Sequence, residues 1–177
     1  MINIARTMGL HIDPDTHPGK YSPFESEMRR RVWWDIYYLD VFISDCMSLP
    51  PLIDDATFNC NLPVDCDDSH LYPRTSMLPP PADDSDYMYF ILKSRLAQLV
   101  KKIRRAPIND DQNQPDIKAA VALAQEVKDW LSALPPQFQL AADEGVASSG
   151  PPFLVAQRCE LASIAHQIVL KIFHPFL

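Results

Sequence analysis

From Ser22 to Met47 the sequence writes a single long helix that has no continuous polar side. Ser22 can accept from free amides at the helix start, Pro23 suits the first helical position, and Glu25 completes a capping box. Phe24, Met28, Val32, Ile36, Leu39, Ile43 and Met47 then recur at helical spacing. Trp33, Trp34, Tyr37, Tyr38, Val41 and Phe42 fill the other faces beyond Val32. Glu25 with Arg29 and Glu27 with Arg31 are i,i+4 pairs in the favourable order, so the first turns are expected to be wetter. A helix of this kind must be covered on several sides, which predicts a place in the middle of a helical domain.

The remaining segments read as helices separated by proline-rich loops. Ile2, Ala5 and Met8 share a helical face, and Gly9 followed by Leu10 fits a glycine cap with its apolar contact. This element is short enough to be read as the tail of a longer helix. Leu49 to Asp86 hold seven prolines and little periodicity, which predicts a long irregular segment, either packed and functional or mobile. A third helix is predicted from about Ser85 to Arg105 with Leu92, Leu96, Leu99 and Ile103 inward. A fourth is predicted from about Asp116 to Leu134 with Ile117, Ala120, Val121, Ala124, Val127, Leu131 and Leu134 on one face. Leu134-Pro135-Pro136 stops it, and Pro151-Pro152 can start a fifth that runs to about Phe173. Period-two alternation is sustained nowhere, so the expected class is all-α, a multi-helix domain with long proline-rich loops.

Composition removes several alternatives. The 177 residues contain 4 glycines against 17 prolines, so neither a G-x-G-x-x-G turn nor a P-loop can be written, and a G-x-S-x-G elbow is missing too. Lys and Arg number 16 against 23 Asp and Glu, a formal charge of −7, which argues against strong nucleic-acid binding by this chain. Cys46, Cys60, Cys66 and Cys159 form no C-x-x-C pair and read as reduced structural thiols. The N-terminus has no signal-peptide pattern, and no apolar run approaches the roughly 18 residues of a spanning helix. The chain therefore reads as soluble and intracellular, with no membrane partner.

Catalytic and metal-binding patterns do not assemble. Cys60, Cys66 and His70 make C-x₅-C-x₃-H without a clear fourth ligand, so no metal is expected there. The pairs Asp54-Asp55, Asp67-Asp68, Asp83-Asp84 and Asp110-Asp111 are followed at the third position by Phe58, Leu71, Tyr87 and Gln114, so none completes D-D-x-x-D. They read instead as caps and helix-dipole partners. His166 falls within the apolar fifth helix and reads as a satisfied core histidine. Lys101-Lys102-Ile103-Arg104-Arg105 reads as a solvated helix end, with Ile103 continuing the buried stripe.

Met8-Gly9-Leu10-His11, then Arg29-Arg30-Arg31-Val32-Trp33-Trp34, then Leu39-Asp40 with Ser44 and Pro50 closely resemble the middle homology region of fungal zinc-cluster transcription factors. That family writes L-G-L-H-R, R-R-R-x-W-W, and L-D-R followed by a serine and G-R-P. Ile53, Asp54, Asp55 and Leu62-Pro63 continue the likeness, as do Trp130 with Leu134-Pro135 and the closing Phe173-His174-Pro175-Phe176-Leu177. The likeness covers nearly the whole chain. Val41, Ser48-Leu49 and His174 depart from it by standing where the family has Arg, Gly-Arg and Arg. Asp40 is thereby left with either a different partner or a carboxyl that is harder to ionise. Arg29, Arg30, Arg31, Trp33, Trp34, Asp40 and Pro50 are the motif residues, and they are expected to pack and specify the helix rather than to react.

The resemblance implies that residues 1–177 are part of the regulatory region of a nuclear fungal transcription factor, without the DNA-reading zinc cluster. Zinc and DNA would be bound by a separate N-terminal module. This region would tune transcription through a small-molecule effector, a transcriptional co-regulator or self-association, with no cofactor or catalysis of its own. A helical scaffold or adaptor is the alternative, and an all-α enzyme is disfavoured by the missing reactive sets. The resemblance also implies that more helical chain follows Leu177. Leu161, Ile164, Ile168, Val169, Ile172 and Phe173 are therefore expected to leave an apolar patch open.

Overall fold

The computed structural model describes residues 1–80, 85–106, 114–140 and 151–177, and these contain helices and no β-strand. The chain divides into two compact units, Met1–Gln98 and Leu99–Leu177. Among the described residues, helices α1 (Ile2–Thr7), α2 (Pro23–Cys46), α3 (Met88–Arg105), α4 (Ile117–Ser132) and α5 (Pro152–Phe173) follow in order, with short 3-10 turns outside them. All five lie where the sequence predicts them, because their ends are set by local chemistry.

The capping box at the head of α2 is complete, with Ser22 Oγ accepting from the Glu25 amide at 3.2 Å and the Ser22 amide donating to Glu25 Oε2 at 2.9 Å. Gly9 takes φ +68° past the end of α1, so that the Leu10 amide reaches the Ala5 carbonyl at 3.0 Å and the Gly9 amide the Arg6 carbonyl at 2.9 Å. That pair of bonds is a Schellman motif, and its left-handed position suits a residue without Cβ. Asp116 caps α4 through the Lys118 amide at 2.8 Å, and Pro152 opens α5.

In the first unit α2 is the central element, but its buried face differs from the predicted apolar stripe. Ser26, Glu27, Arg30, Arg31, Trp33, Trp34, Ile36, Tyr37, Asp40, Val41 and Ser44 are buried. Val32, Leu39, Ile43 and Met47 are exposed, Met47 by 62%. Polar and aromatic side chains turn inward because α2 packs against irregular chain whose amides and carbonyls need partners. The same reason corrects the expectation of wet first turns. Glu27 and Arg31 do pair, at 3.1 Å, but with Glu27 at 0% exposure. Glu25 turns to Ser22, and Arg29 donates to the Met8 carbonyl at 2.6 Å.

In the second unit α4 and α5 pack together over Ala120, Leu123, Ala124 and Val127 from one and Leu161, Ala165, Ile168 and Ile172 from the other. Ile117 and Val121, expected inward, are exposed. The α5 face expected to lie open is substantially covered, with Leu161 at 0%, Ile168 at 4% and Ile172 at 2% exposure. The basic end of α3 also differs from its reading as wholly solvated. Ile103 is buried and Lys102 pairs at the surface with Glu126, yet Lys101 is buried at 1% exposure. Among the described residues no helix is long and apolar enough to cross a membrane.

Candidate functional site

Arg30, Arg31, Trp33, Trp34 and Asp40 converge on one task, which is to hold the segment from Leu52 to Asp68 along α2. Arg30 lies one turn below Trp33 and Trp34, and its guanidinium grips Asp13 with Nε to Oδ2 at 3.1 Å and Nη2 to Oδ1 at 2.9 Å. This fork-on-fork geometry is the strongest form of ion pair. Asp13 Oδ2 also accepts from the Asn61 amide at 2.7 Å, while the Asp13 amide donates to Asn59 Oδ1 at 2.9 Å. Burial pushes the Asp13 carboxyl up, but the bonds from Arg30, Asn61 and Asp15 outweigh it and hold the group below its usual range. Asp15 adds a second carboxylate to Arg30 at 2.7 Å, and the bond to Asp13 first, with Asp15 after it, makes the Arg30 guanidinium harder to deprotonate despite its burial.

One step round the helix, Arg31 joins Glu27, Asp68 and the Cys66 carbonyl at 3.1, 2.5 and 3.2 Å. The Tyr87 ring lies 3.6 Å from the Arg31 guanidinium carbon. Glu27 accepts from the Val64 amide on both oxygens, at 3.1 and 3.2 Å. Burial nevertheless raises the Glu27 carboxyl above its usual range, despite Val64 and Arg31. Ser85 Oγ donates to the Asp65 carboxylate, and Asp67 Oδ1 accepts from the Asp86 amide at 2.9 Å, so the approach to α3 is tied to the same segment.

The aromatic residues supply the apolar half of this clamp. Trp33, Trp34 and Tyr37 surround Phe58 at centroid distances of 5.4, 5.7 and 5.6 Å. Trp34 Nε1 donates to the Asn61 carbonyl at 2.7 Å, and the Tyr37 hydroxyl donates to Asp55 Oδ1 at 3.0 Å. Trp33 is fully buried, its Nε1 without an acceptor among the described residues, and its ring stands 6.1 Å from that of His11. Of the two alternatives that its sequence context leaves, Asp40 has the different partner. Its two oxygens accept from the Leu52 and Ile53 amides at 3.1 and 2.8 Å. Arg29 lies over the Tyr21 ring at 4.4 Å, and Pro50 is exposed where the chain leaves α2.

Every motif residue except Pro50 therefore anchors backbone, an acidic side chain or an aromatic cluster. Asp13, Glu27, Asn61, Phe58 and Tyr87 complete the clamp from outside the motif. Glu27 carried a sequence signal, its i,i+4 relation to Arg31, but nothing local marks it as buried. The residues do not fit a zinc cluster. Cys60 and Cys66 are buried, Cys46 and Cys159 are exposed, and among the described residues no group of three His, Cys, Asp or Glu side chains converges on a metal position. The Cys60 thiol is pushed up to about 12, chiefly by burial and secondarily by Asp13, so it stays protonated. Asp54 caps a 3-10 turn through the Ala56 amide, as expected of a loop aspartate. Asp83-Asp84 and Asp110-Asp111 lie outside the described residues. His166 is an exposed residue rather than a core one, bonded through Nδ1 to the Ala162 carbonyl at 2.6 Å.

Comparison with known proteins matches residues 1–139 to the family model described as fungal specific transcription factor domain. The chain is similar to the Pyrrolocin cluster transcription factor fsdR of Fungal sp. (strain NRRL 50135), at 30% identity over 182 residues that span 100% of this chain and 23% of that protein. It is similar to the Zn(2)-C6 fungal-type transcription factor pigI of Monascus ruber, at 24% identity across 100% of this chain and 22% of that protein. Activator of stress genes 1 of Saccharomyces cerevisiae is 27% identical over 98% of this chain and 18% of its own length. The chain thus spans less than a quarter of each of these three relatives. No solved structure matches it.

Proposed function

Since the chain belongs to the fungal specific transcription factor domain family, we propose that it acts as the regulatory region of a nuclear transcription factor. On this reading it modulates transcription by binding an effector or a protein partner, and it catalyses no reaction. Zinc and DNA contacts are assigned to a module outside these residues, because the four cysteines here do not converge and the net charge is −7. The observation that carries the reading is the match over residues 1–139, which takes in α1, the whole of α2 and the segment that α2 clamps. The clamp of buried ion pairs and aromatic rings orders the first unit, and an effector or partner would act by favouring one arrangement of the region over another.

The test is a fusion of the chain to a heterologous DNA-binding module ahead of a reporter gene. The fusion should shift reporter output relative to the module alone. The shift should disappear with Arg30→Met, which opens the clamp at Asp13. A fusion that is expressed, folded and indistinguishable from the bare module would refute the regulatory reading.

A further inference from the structure

The second unit carries a cavity for which the clamp has no use. It opens between the end of α4, the 3-10 turn Pro136–Phe138 and α5, and holds about 280 Å³. Buried Leu134, Phe138 and Ala162 form its apolar floor, while exposed Ser132, Gln139 and His166 stand around it. That volume lies at the small end of ligand sites and accommodates a molecule of one or two fused rings.

The three polar side chains share an unusual chemistry, since each has its donors committed to a backbone carbonyl. The Ser132 hydroxyl donates to the Lys128 carbonyl at 2.9 Å. The Gln139 amide nitrogen donates to the carbonyls of Ser132 at 3.2 Å and Leu134 at 2.7 Å, which leaves Oε1 as an acceptor. His166 Nδ1 sits 2.6 Å from the Ala162 carbonyl. A carbonyl has no proton to give, so in the neutral ring Nδ1 carries the hydrogen and Nε2 keeps its lone pair. Among the described residues the lining, with the His166 ring neutral, therefore offers acceptors from these three side chains and a side-chain donor from none. An apolar floor below a rim of acceptors favours a neutral apolar molecule that brings its own N–H or O–H. It gives the oxygens of a carboxylate no side-chain donor among the described residues.

We infer that this cavity binds a small neutral aromatic molecule carrying one hydrogen-bond donor, with His166 Nε2 as its acceptor. That such a molecule would be the effector of the region rests on the regulatory reading above, whereas the binding itself does not. The test compares indole with benzofuran, two rings of nearly equal shape of which indole alone carries an N–H. Each is titrated into the full 177-residue chain and followed by NMR at the signals of Leu134, Phe138, Ala162 and His166. Indole should shift these signals and bind roughly three- to tenfold more tightly than benzofuran, the value of one modest hydrogen bond. In His166→Phe, which keeps a ring and removes Nε2, the preference should shrink toward unity while benzofuran still binds. Equal binding of the two probes to the unmodified chain would overturn the proposal, as would no shift at these residues up to the solubility limit. Because binding is read on the chain itself, a reporter fusion that shifts output but is indifferent to indole would count against this site holding the effector, and a fusion indistinguishable from the bare module would count against the regulatory reading while leaving the site standing.

Discussion

Replacing Ser48 by glycine should stabilise the protein, although it removes atoms and adds none. Ser48 follows the last turn of α2 at φ +56°, the left-handed region, in the position that Gly9 occupies after α1 at φ +68°. Both are Schellman ends, since the Leu49 amide reaches the Ser44 carbonyl at 2.8 Å and the Ser48 amide the Asp45 carbonyl at 3.4 Å. An L side chain held in that region costs about 1–2 kcal/mol, against which glycine gives back about 0.5–1 kcal/mol through its freer unfolded chain. The Ser48 side chain is exposed and makes no hydrogen bond among the described residues, so little else is lost. The net expectation is a gain of about 0.5–1 kcal/mol, or a rise in Tm of about 1–4 °C for a chain of this length. Gly9→Ser is the mirror experiment and should cost about the same, because its new Cβ would meet Arg29 Nη2 at an ordinary 3.6 Å and strain alone would act. Urea titrations read by tryptophan emission in a Trp130→Phe background would follow Trp33 and Trp34 in the first unit. If Ser48→Gly were neutral or destabilising at unchanged m-value, the left-handed end assigned to α2 would be wrong.

Further expectations follow from the clamp and the buried charges. Asp13→Asn should cost about 3 kcal/mol, because it weakens the fork on a buried guanidinium. With Asp13 held below its ordinary value of 3.8, its contribution is complete above that value and fades as pH falls through the lowered folded one, so acid titration of the variant should lack this component. Trp33→Phe and Trp34→Phe both remove ring volume, but Trp34 also loses its bond to the Asn61 carbonyl, so denaturant titration should find it worse by about 1 kcal/mol. Lys101→Ala should cost about 1–3 kcal/mol and Arg105→Ala within about 0.5 kcal/mol, which thermal melts of the two variants would resolve. The purified chain should retain less than stoichiometric zinc after dialysis, as elemental analysis would show, because its thiols do not converge.

What the sequence determined by itself is everything that acts over a few residues. Ser22 and Glu25 set the start of α2, Gly9 ends α1, Asp116 starts α4 and Pro152 starts α5. Each does so through bonds to amides or carbonyls of neighbouring residues, so a local reading finds them. The family motif was legible for the same reason, as a string of residue types in order. What only the tertiary structure decided is which way α2 faces. Periodicity favours burying Val32, Leu39, Ile43 and Met47, yet these lie exposed while Glu27, Arg30, Arg31 and Asp40 lie inside. The partners that reverse the choice are Asp13, Asn61, Val64 and the Leu52–Ile53 amides, 12 or more residues away from the side chains they meet. Irregular chain packed on a helix brings unpaired amides and carbonyls with it, and each must find a hydrogen bond or pay for its burial. Hydrophobic period counts apolar area and is blind to that demand, so it misses the charged and aromatic side chains that stand beside Ile36 and Val41 on the inward face of α2.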